Sequence, residues 1–341
     1  MTTPQETTLK KLLVTALSAA ALFATSASSV VQARELRSAG AAPEGSPWGQ
    51  VTNAFVAKVA ELSGGSLTVK HFHASQLGDE QTTVRQVARG RLDLGGFSNT
   101  ATSLLVPEFG LLASPYTFSN NDQADCVADK HLLPTFGDAM DAAGVVPIAW
   151  FEIGQQIIFA KDLIKSPSDL ANVKIRTAPT KTDTLYMEAA GGNAVPLGTT
   201  DTMPALKTGN VSAATWPTVY GIAVGYHAVA NNVTVSNHVH QIGSFLVSKK
   251  TWDTLSTEEQ GWLREAGKVF TGLRTAVRGA ESALLKKIEG EGATVYYPSE
   301  EEMNAWKAAA PEAQPKIVSE LGGNAEATWA SIQAARESCS Q

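Results

Sequence analysis

The stretch Leu67–Gly96, LTVKHFHASQLGDEQTTVRQVARGRLDLGG, reads as a strand (Leu67 to Phe72), a turn, a helix (about Asp79 to Ala88) and a short apolar strand (Leu92 to Gly96). Upstream lie a strand-like Leu36 to Ala39 and the loop Gly40 to Trp48. A helix follows in which Phe55, Val59 and Leu62 recur at helical spacing, and Ser63-Gly64-Gly65 stops it. The whole is βαβαβ, the rhythm of a mainly parallel sheet with helices on its faces.

The same rhythm returns downstream. Val145 to Ala149 and Gln156 to Ala160 read as strands, and Ser166-Pro167-Ser168-Asp169-Leu170 as a turn. The segment NVKIRTAP, Asn172–Pro179, is a further strand. Its alternation puts Val173, Ile175 and Thr177 on one face and Lys174 and Arg176 on the other, so Arg176 by itself reads as a solvated charge. A helix from about Thr182 to Ala190, a strand at Ala194 to Leu197, a helix from about Thr200 to Thr208 and a strand at Val211 to Thr215 complete the second series. Two α/β lobes around a cleft are expected, with sites where loops converge at the strand carboxyl ends. From Thr257 to about Glu289, Trp262, Leu263, Ala266, Phe270, Leu273, Val277, Ala280, Leu284 and Ile288 keep helical spacing. They predict one long helix across both lobes, or two helices broken near Gly272 or Gly279.

The amino terminus has the plan of a secretory signal peptide: Lys10 and Lys11, the apolar run Leu12 to Ala24, and small residues ending Val31-Gln32-Ala33. Cleavage after Ala33 leaves about 308 residues starting at Arg34, exported and with no membrane insertion afterwards. The net charge of −6 becomes about −7 once Glu6, Lys10 and Lys11 are removed. That mild acidity argues against nucleic acid or an anionic membrane as partner. Cys126 and Cys339 enter a compartment that permits disulfides. Either they bond, tying the carboxyl-terminal tail to the first half, or they are two inert thiols.

The chain lacks a Gly-x-Ser-x-Gly elbow, a Walker-type phosphate loop, Gly-x-Gly-x-x-Gly, His-Glu-x-x-His and Cys-x-x-Cys. An exported α/β enzyme using Glu152 or a histidine is therefore a minor reading. His71 and His73, and His238 and His240, have strand spacing, but no matching carboxylate accompanies them, so metal binding is not expected. Trp48, Phe97, Tyr116, Phe118, Trp216 and Tyr220 fall beside predicted strand ends, where a cleft would be; most such rings are core.

Several segments together resemble one family. Ser63–Ser98 is similar to the first-lobe signature of the periplasmic solute-binding subunits of TRAP (tripartite ATP-independent periplasmic) transporters, the DctP type: a Ser-Gly-Gly turn, Gln-Leu-Gly after a strand, and Gly-x-Leu-Asp before the next. Val106–Phe118 (VPEFGLLASPYTF), SPSDLANVKIRTAP, PALKTGNV and GSFLVSKKTWDTLSTEEQGWLREA match further stretches. The resemblance implies two α/β lobes joined by crossing strands, a long helix spanning both, and closure on a small organic anion. It also implies that Arg176, the arginine of Lys-Ile-Arg, makes a bidentate salt bridge with a ligand carboxylate.

Two departures narrow the ligand. Many members carry Gly-x-Arg twenty residues before that arginine; here the segment is Gly154-Gln155-Gln156. Many also have an asparagine where this chain has Trp216, in Ser212-Ala213-Ala214-Thr215-Trp216-Pro217. Gln156 with Trp216 resembles the branch that binds 2-oxo and 2-hydroxy monocarboxylates. In that branch an acidic residue beside the tryptophan helps hold a bridging cation. Thr215 stands there, so a cation near Gln156 and Trp216 is not expected, and no other cofactor is.

The resulting expectation is a periplasmic-binding-protein-like α/β protein. Residues 1–33 are leader, 34–154 plus about 242–280 form lobe I, and 155–241 plus about 281–341 form lobe II, with the hinge at the crossing strands. Its role is to capture a small organic anion, a monocarboxylate by preference, and to deliver it to TRAP membrane subunits. Candidate ligand contacts are Arg176, Trp216, Gln156, Ser98, Asn99, Trp48, Glu80 and Tyr220. Alternatives on the same fold are a ligand-presenting sensor subunit and a sulfonate-binding protein. A feeder of an ATP-driven importer fits the long helix and the Lys-Ile-Arg segment less well.

Overall fold

The computed structural model describes residues 33–340, so the leader lies almost wholly outside the described residues. The first half contains β1 (Arg34–Ala39), α1 (Pro47–Leu62), β2 (Leu67–Phe72), α2 (Glu80–Ala88), β3 (Leu94–Phe97), α3 (Asn121–Lys130), α4 (Leu132–Ala142) and β4 (Val145–Ala160). Then come β5 (Lys174–Thr177), α5 (Lys181–Ala189), β6 (Asn193–Pro196), α6 (Thr199–Thr208), β7 (Ala213–Pro217), α7 (Thr218–Ala223) and β8 (Asn232–Ser248). The chain ends with α8 (Thr257–Gly267), α9 (Gly272–Gly290), β9 (Thr294–Tyr296), α10 (Glu300–Leu321) and α11 (Ala325–Ser338).

Local chemistry sets the element starts nearest the cleft. Ser46 caps α1, its hydroxyl accepting from the Gly49 N–H at 3.3 Å, with Pro47 at the first helical position. Asp79 caps α2, its carboxylate accepting from the Thr82 N–H at 2.8 Å. That cap fixes Glu80 as the first residue of the helix, at the carboxyl end of the β2 loop.

All strands join one sheet in the order β2-β1-β3-β8-β4-β7-β5-β6, with β9 beside β8. Parallel pairs lie toward both edges, β1 with β3 and β5 with both β6 and β7. At the centre β4 and β8 run antiparallel, from Val145 opposite Ser248 to Ala160 opposite Asn232. β3 pairs with the second part of β8 (Leu94 opposite Val247), while β7 pairs with the second part of β4 (Ile157 opposite Trp216). The two long strands therefore serve both α/β lobes. Register shifts break this pairing between Pro147 and Ala149, between Glu152 and Gly154, and between Gln156 and Ile158.

Three details correct or decide the sequence reading. Val145–Ala149 and Gln156–Ala160 are the ends of a single strand, because the residues between continue to pair with β8. Ile175, Arg176 and Thr177 are all buried, since β5 is an inner parallel strand covered on both faces, and only Lys174 is exposed. The long helix is interrupted by a 3₁₀ turn at Lys268–Thr271, so the alternative of two helices broken near Gly272 holds, although the backbone stays right-handed through it, with φ −61° at Lys268 and −62° at Gly272.

The interrupted helix still reaches two cores. Leu263, Phe270, Leu273 and Val277 pack with Phe55, Leu94 and Phe245, whereas Leu285 and Ile288 pack with Ile157, Phe159 and Val233. On the same helix, Arg278 donates to both oxygens of Asp125, at 2.9 and 2.7 Å, and to Glu152. These pairs lock α9 to α3 and to β4. Cys126 and Cys339 are bonded, which joins α3 to α11 across a separation of 213 residues.

Candidate functional site

Arg176 is the key to the cleft. It sits near the end of β5, is only 2 % exposed, and lines a cavity of about 100 Å³ that is partly open to solvent. Its Nε and Nη2 both donate to the Leu197 carbonyl, at 3.1 and 2.9 Å, and Nη1 donates to the Thr215 carbonyl at 2.9 Å. A guanidinium has five N–H donors, so one on Nη1 and one on Nη2 remain unused. Its Cζ lies 3.9 Å from the centroid of the Trp216 ring, a cation–π contact. Burial lowers its pKa to about 10, opposed chiefly by Asp183, so it stays charged at neutral pH. Here the solvated-charge reading fails.

Asp183, at the start of α5, braces this half of the site from behind. Its Oδ2 accepts from the Ala178 N–H at 2.6 Å and from Thr215 Oγ1 at 2.8 Å, and Oδ1 accepts from Gln156 Nε2 at 3.4 Å. All three donors belong to cavity-lining residues. Gln156 Oε1 in turn accepts from Gln241 Nε2 at 3.0 Å. Burial raises the Asp183 pKa, and the hydrogen bonds and Arg176 oppose that rise.

The opposite wall is built from the first α/β series. Glu80 accepts from the Ser98 N–H at 2.5 Å and from Ser98 Oγ at 2.6 Å. Its pKa is raised by burial, against the pull of those bonds. Trp48 Nε1 donates to the Glu152 carbonyl at 2.8 Å, which seats its ring beside the crossing strand. Trp216 stacks on Tyr220 with centroids 5.2 Å apart, and its buried Nε1 has no partner.

Arg176, Trp216, Gln156, Ser98, Trp48, Glu80 and Tyr220 all line the one cavity. Asn99 does not. It lies fully buried in a short helical turn behind Ser98, its Oδ1 accepting from the Thr100 N–H at 3.0 Å. Sequence reasoning missed Gln241, Thr199 and the bracing Asp183. An acidic residue in the first turn of the helix after Lys-Ile-Arg was the available signal for Asp183.

His71 and His73 line the cavity, whereas His238 and His240 belong to other settings. His238 bonds to Ser236 Oγ at 2.8 Å and stacks on Tyr186, and His240 Nε2 lies 3.1 Å from Glu152 Oε1. Glu152 is thus held between His240 and Arg278, outside the lining of this cavity. Among the described residues no three His, Cys, Asp or Glu side chains gather as a metal site.

A cleft lined from both α/β series, with one buried arginine presenting unused donors, has the means to hold a small anion. The model of the bacterial extracellular solute-binding proteins, family 7 (DctP), matches residues 38–320, and the chain belongs to that family. A curated solute-binding protein of Chromohalobacter salexigens is 26% identical over 250 residues, 72% of this chain and 74% of that one. The crystal structure of the sugar acid binding protein DctPAm from Advenella mimigardefordensis, in complex with galactonate, aligns with a TM-score of 0.86 at 25% identity. That alignment covers 91% of this chain and 99% of the other. A TRAP periplasmic solute-binding protein from Sulfitobacter with bound β-D-galacturonate aligns with a TM-score of 0.83 at 24% identity, covering 89% and 100%. Among the described residues no helix is long and apolar enough to cross a membrane.

Proposed function

We propose that this protein works in the periplasm, captures a small organic monocarboxylate by closing its lobes, and presents it to the membrane subunits of a TRAP-type transporter. The observation that carries this reading is Arg176: a buried cation, bonded only to carbonyls, with two donors left at the cavity. A carboxylate meeting those donors side by side makes charge-assisted bonds in a desolvated setting, and a planar guanidinium suits that geometry. Among the described lining residues it is the sole permanent cation, while Glu80 opposes a second carboxylate. One anionic group therefore matches the site better than two.

The reading takes no bridging cation. In support, Gln156 Oε1 already accepts from Gln241 and the Asp183 carboxylate from three donors.

A thermal-shift screen followed by calorimetry tests this, with monocarboxylates, C4 dicarboxylates and sulfonates compared. Tight one-to-one binding of a monocarboxylate, lost in Arg176→Ala, is the expected result. Preference for a dicarboxylate or sulfonate would overturn the ligand class, and an unchanged Arg176→Ala affinity would overturn the site.

A further inference from the structure

The rim of the cleft carries a group of oxygens that the anion reading does not use. Asp79 and Gln81, at the start of α2, belong to the first α/β series, and Gly198 and Asp201, at the start of α6, belong to the second. The two series meet at Gly198. A Cβ on that glycine would lie 3.2 Å from Asp79 Oδ2, 3.4 Å from Asp201 Oδ2 and 3.8 Å from Gln81 Oε1. Chain neighbours aside, the three atoms nearest that point are all oxygens, and the missing side chain leaves the point empty.

None of the three oxygens is matched by a charge or a donor from the protein. Asp79 spends Oδ1 on the Thr82 N–H, at 2.8 Å, which leaves Oδ2 toward Gly198. Among the described residues neither Asp79 nor Asp201 forms a salt bridge. Gln81 is only 7 % exposed, and its buried Oε1 has no hydrogen-bond partner. A buried acceptor left unpaired is destabilising, and two carboxylates brought to one place repel each other.

A single hydroxyl donor would satisfy one of these oxygens and neutralise neither charge. A cation does both. The set holds oxygen only, with no imidazole or thiolate, and such a set suits a hard divalent ion rather than zinc or copper. Calcium accepts carboxylates, carboxamide carbonyls and water in flexible numbers, at about 2.3 to 2.6 Å. Rotation of the side-chain ends covers the difference from the distances above.

We propose that Asp79, Gln81 and Asp201 form a calcium site at the rim of the cleft, complete only while the two lobes are together, so that the ion locks closure. The site shares no residue with the place beside Trp216, where a cation would bridge to the ligand, and none with the Arg176 cluster. It adds a condition to capture: calcium binding and lobe closure strengthen each other, as linkage requires.

The test titrates calcium chloride alone into chelator-treated protein by calorimetry, with magnesium and sodium for comparison. One site is expected, with a dissociation constant on the order of 10⁻⁴ to 10⁻³ M, the range of extracellular calcium modules. Asp201→Asn and, separately, Asp79→Asn are expected to weaken it about tenfold or more, asparagine preserving the cap of α2. Gln81→Glu adds a third carboxylate and is expected to tighten calcium about tenfold. X-ray scattering should show the protein becoming more compact on adding calcium, and this change should vanish in Asp201→Asn. Melting curves in chelator establish that each variant folds, and the exposed Asp201 carries the test should the others fail. No binding up to about 10 mM calcium, equal affinity in wild type and both asparagine variants, or preference for magnesium or sodium would overturn the site. Calcium binding without compaction would overturn the lock. Because the metal is titrated without an anion, each of these failures leaves the Arg176 reading intact, and failure of that reading leaves this site intact.

Discussion

The backbone N–H of Gln155 donates to Glu281 Oε1 at 2.9 Å, which pins the crossing strand β4 to helix α9 one residue after Gly154. Gly154 has φ 99°, a left-handed conformation, and lies at a register shift of the strand pair. A Cβ there would stand 2.6 Å from that carboxylate oxygen and 3.0 Å from Val277 Cγ1. Gly154→Ala is therefore expected to destabilise the fold by about 2 kcal/mol or more, through backbone strain and displacement of Glu281. Urea denaturation checks this; a change below half that size would count against the tight packing.

Glu281 itself makes stability depend on pH. Burial raises its pKa from the ordinary 4.5 to about 7, with the Glu152 carboxylate adding to the rise. The native state then holds this proton when the unfolded chain has released it, so the contribution of Glu281 to stability falls as pH rises from about 4.5 to about 7. Glu281→Gln removes this dependence. The stability difference between variant and wild type should grow in the variant's favour across that window, by on the order of 2 kcal/mol. A difference that stays flat from pH 4.5 to 8 would refute the protonated native carboxyl.

Arg176→Lys keeps a positive charge but loses the planar fork and its contact with Trp216. Affinity for the proposed anionic ligand is expected to fall by about 2 kcal/mol or more, and by about 3 to 5 kcal/mol in Arg176→Ala, which removes a desolvated charge partner. Titration calorimetry measures both losses. A lysine variant as tight as wild type would mean that point charge, not geometry, holds the ligand.

The Cys126–Cys339 bond closes most of the chain into a loop yet lies between α3 and α11, outside the cavity lining. Loss of the bond in Cys126→Ser with Cys339→Ser is expected to destabilise the unliganded protein by about 2 to 5 kcal/mol. Ligand affinity should change by less than about threefold, since contacts this distant act almost independently. Melting temperature with calorimetry on the same sample decides it, and a large affinity loss would tie the carboxyl-terminal helix to closure.

The alternation of short strands and helices gave the α/β class from Leu67–Gly96 outward, because hydrophobic period is a local property. The strand β8 was not legible as a strand: nearly all of Asn232–Ser248 is buried on both faces, so no alternation marks it. Nor was the continuity of β4, whose bulges and left-handed Gly154 break the pattern where the chain passes between lobes. The site divided in the same way. Arg176, Gln156 and Trp216 were found because each belongs to a recognisable segment, whereas the place of Asp183 in the first turn after Lys-Ile-Arg does not reveal its bonds to Thr215 and Gln156, which lie far off in the chain.

By itself, then, the sequence determined the class of fold and the arginine around which the cleft is built, since both are written in short contiguous patterns. Only the tertiary structure decided that this arginine is buried and which of its donors are free. Those properties belong to residues far apart in the chain, and burial and hydrogen bonding exist for them only once β4 and β8 have brought the two lobes together.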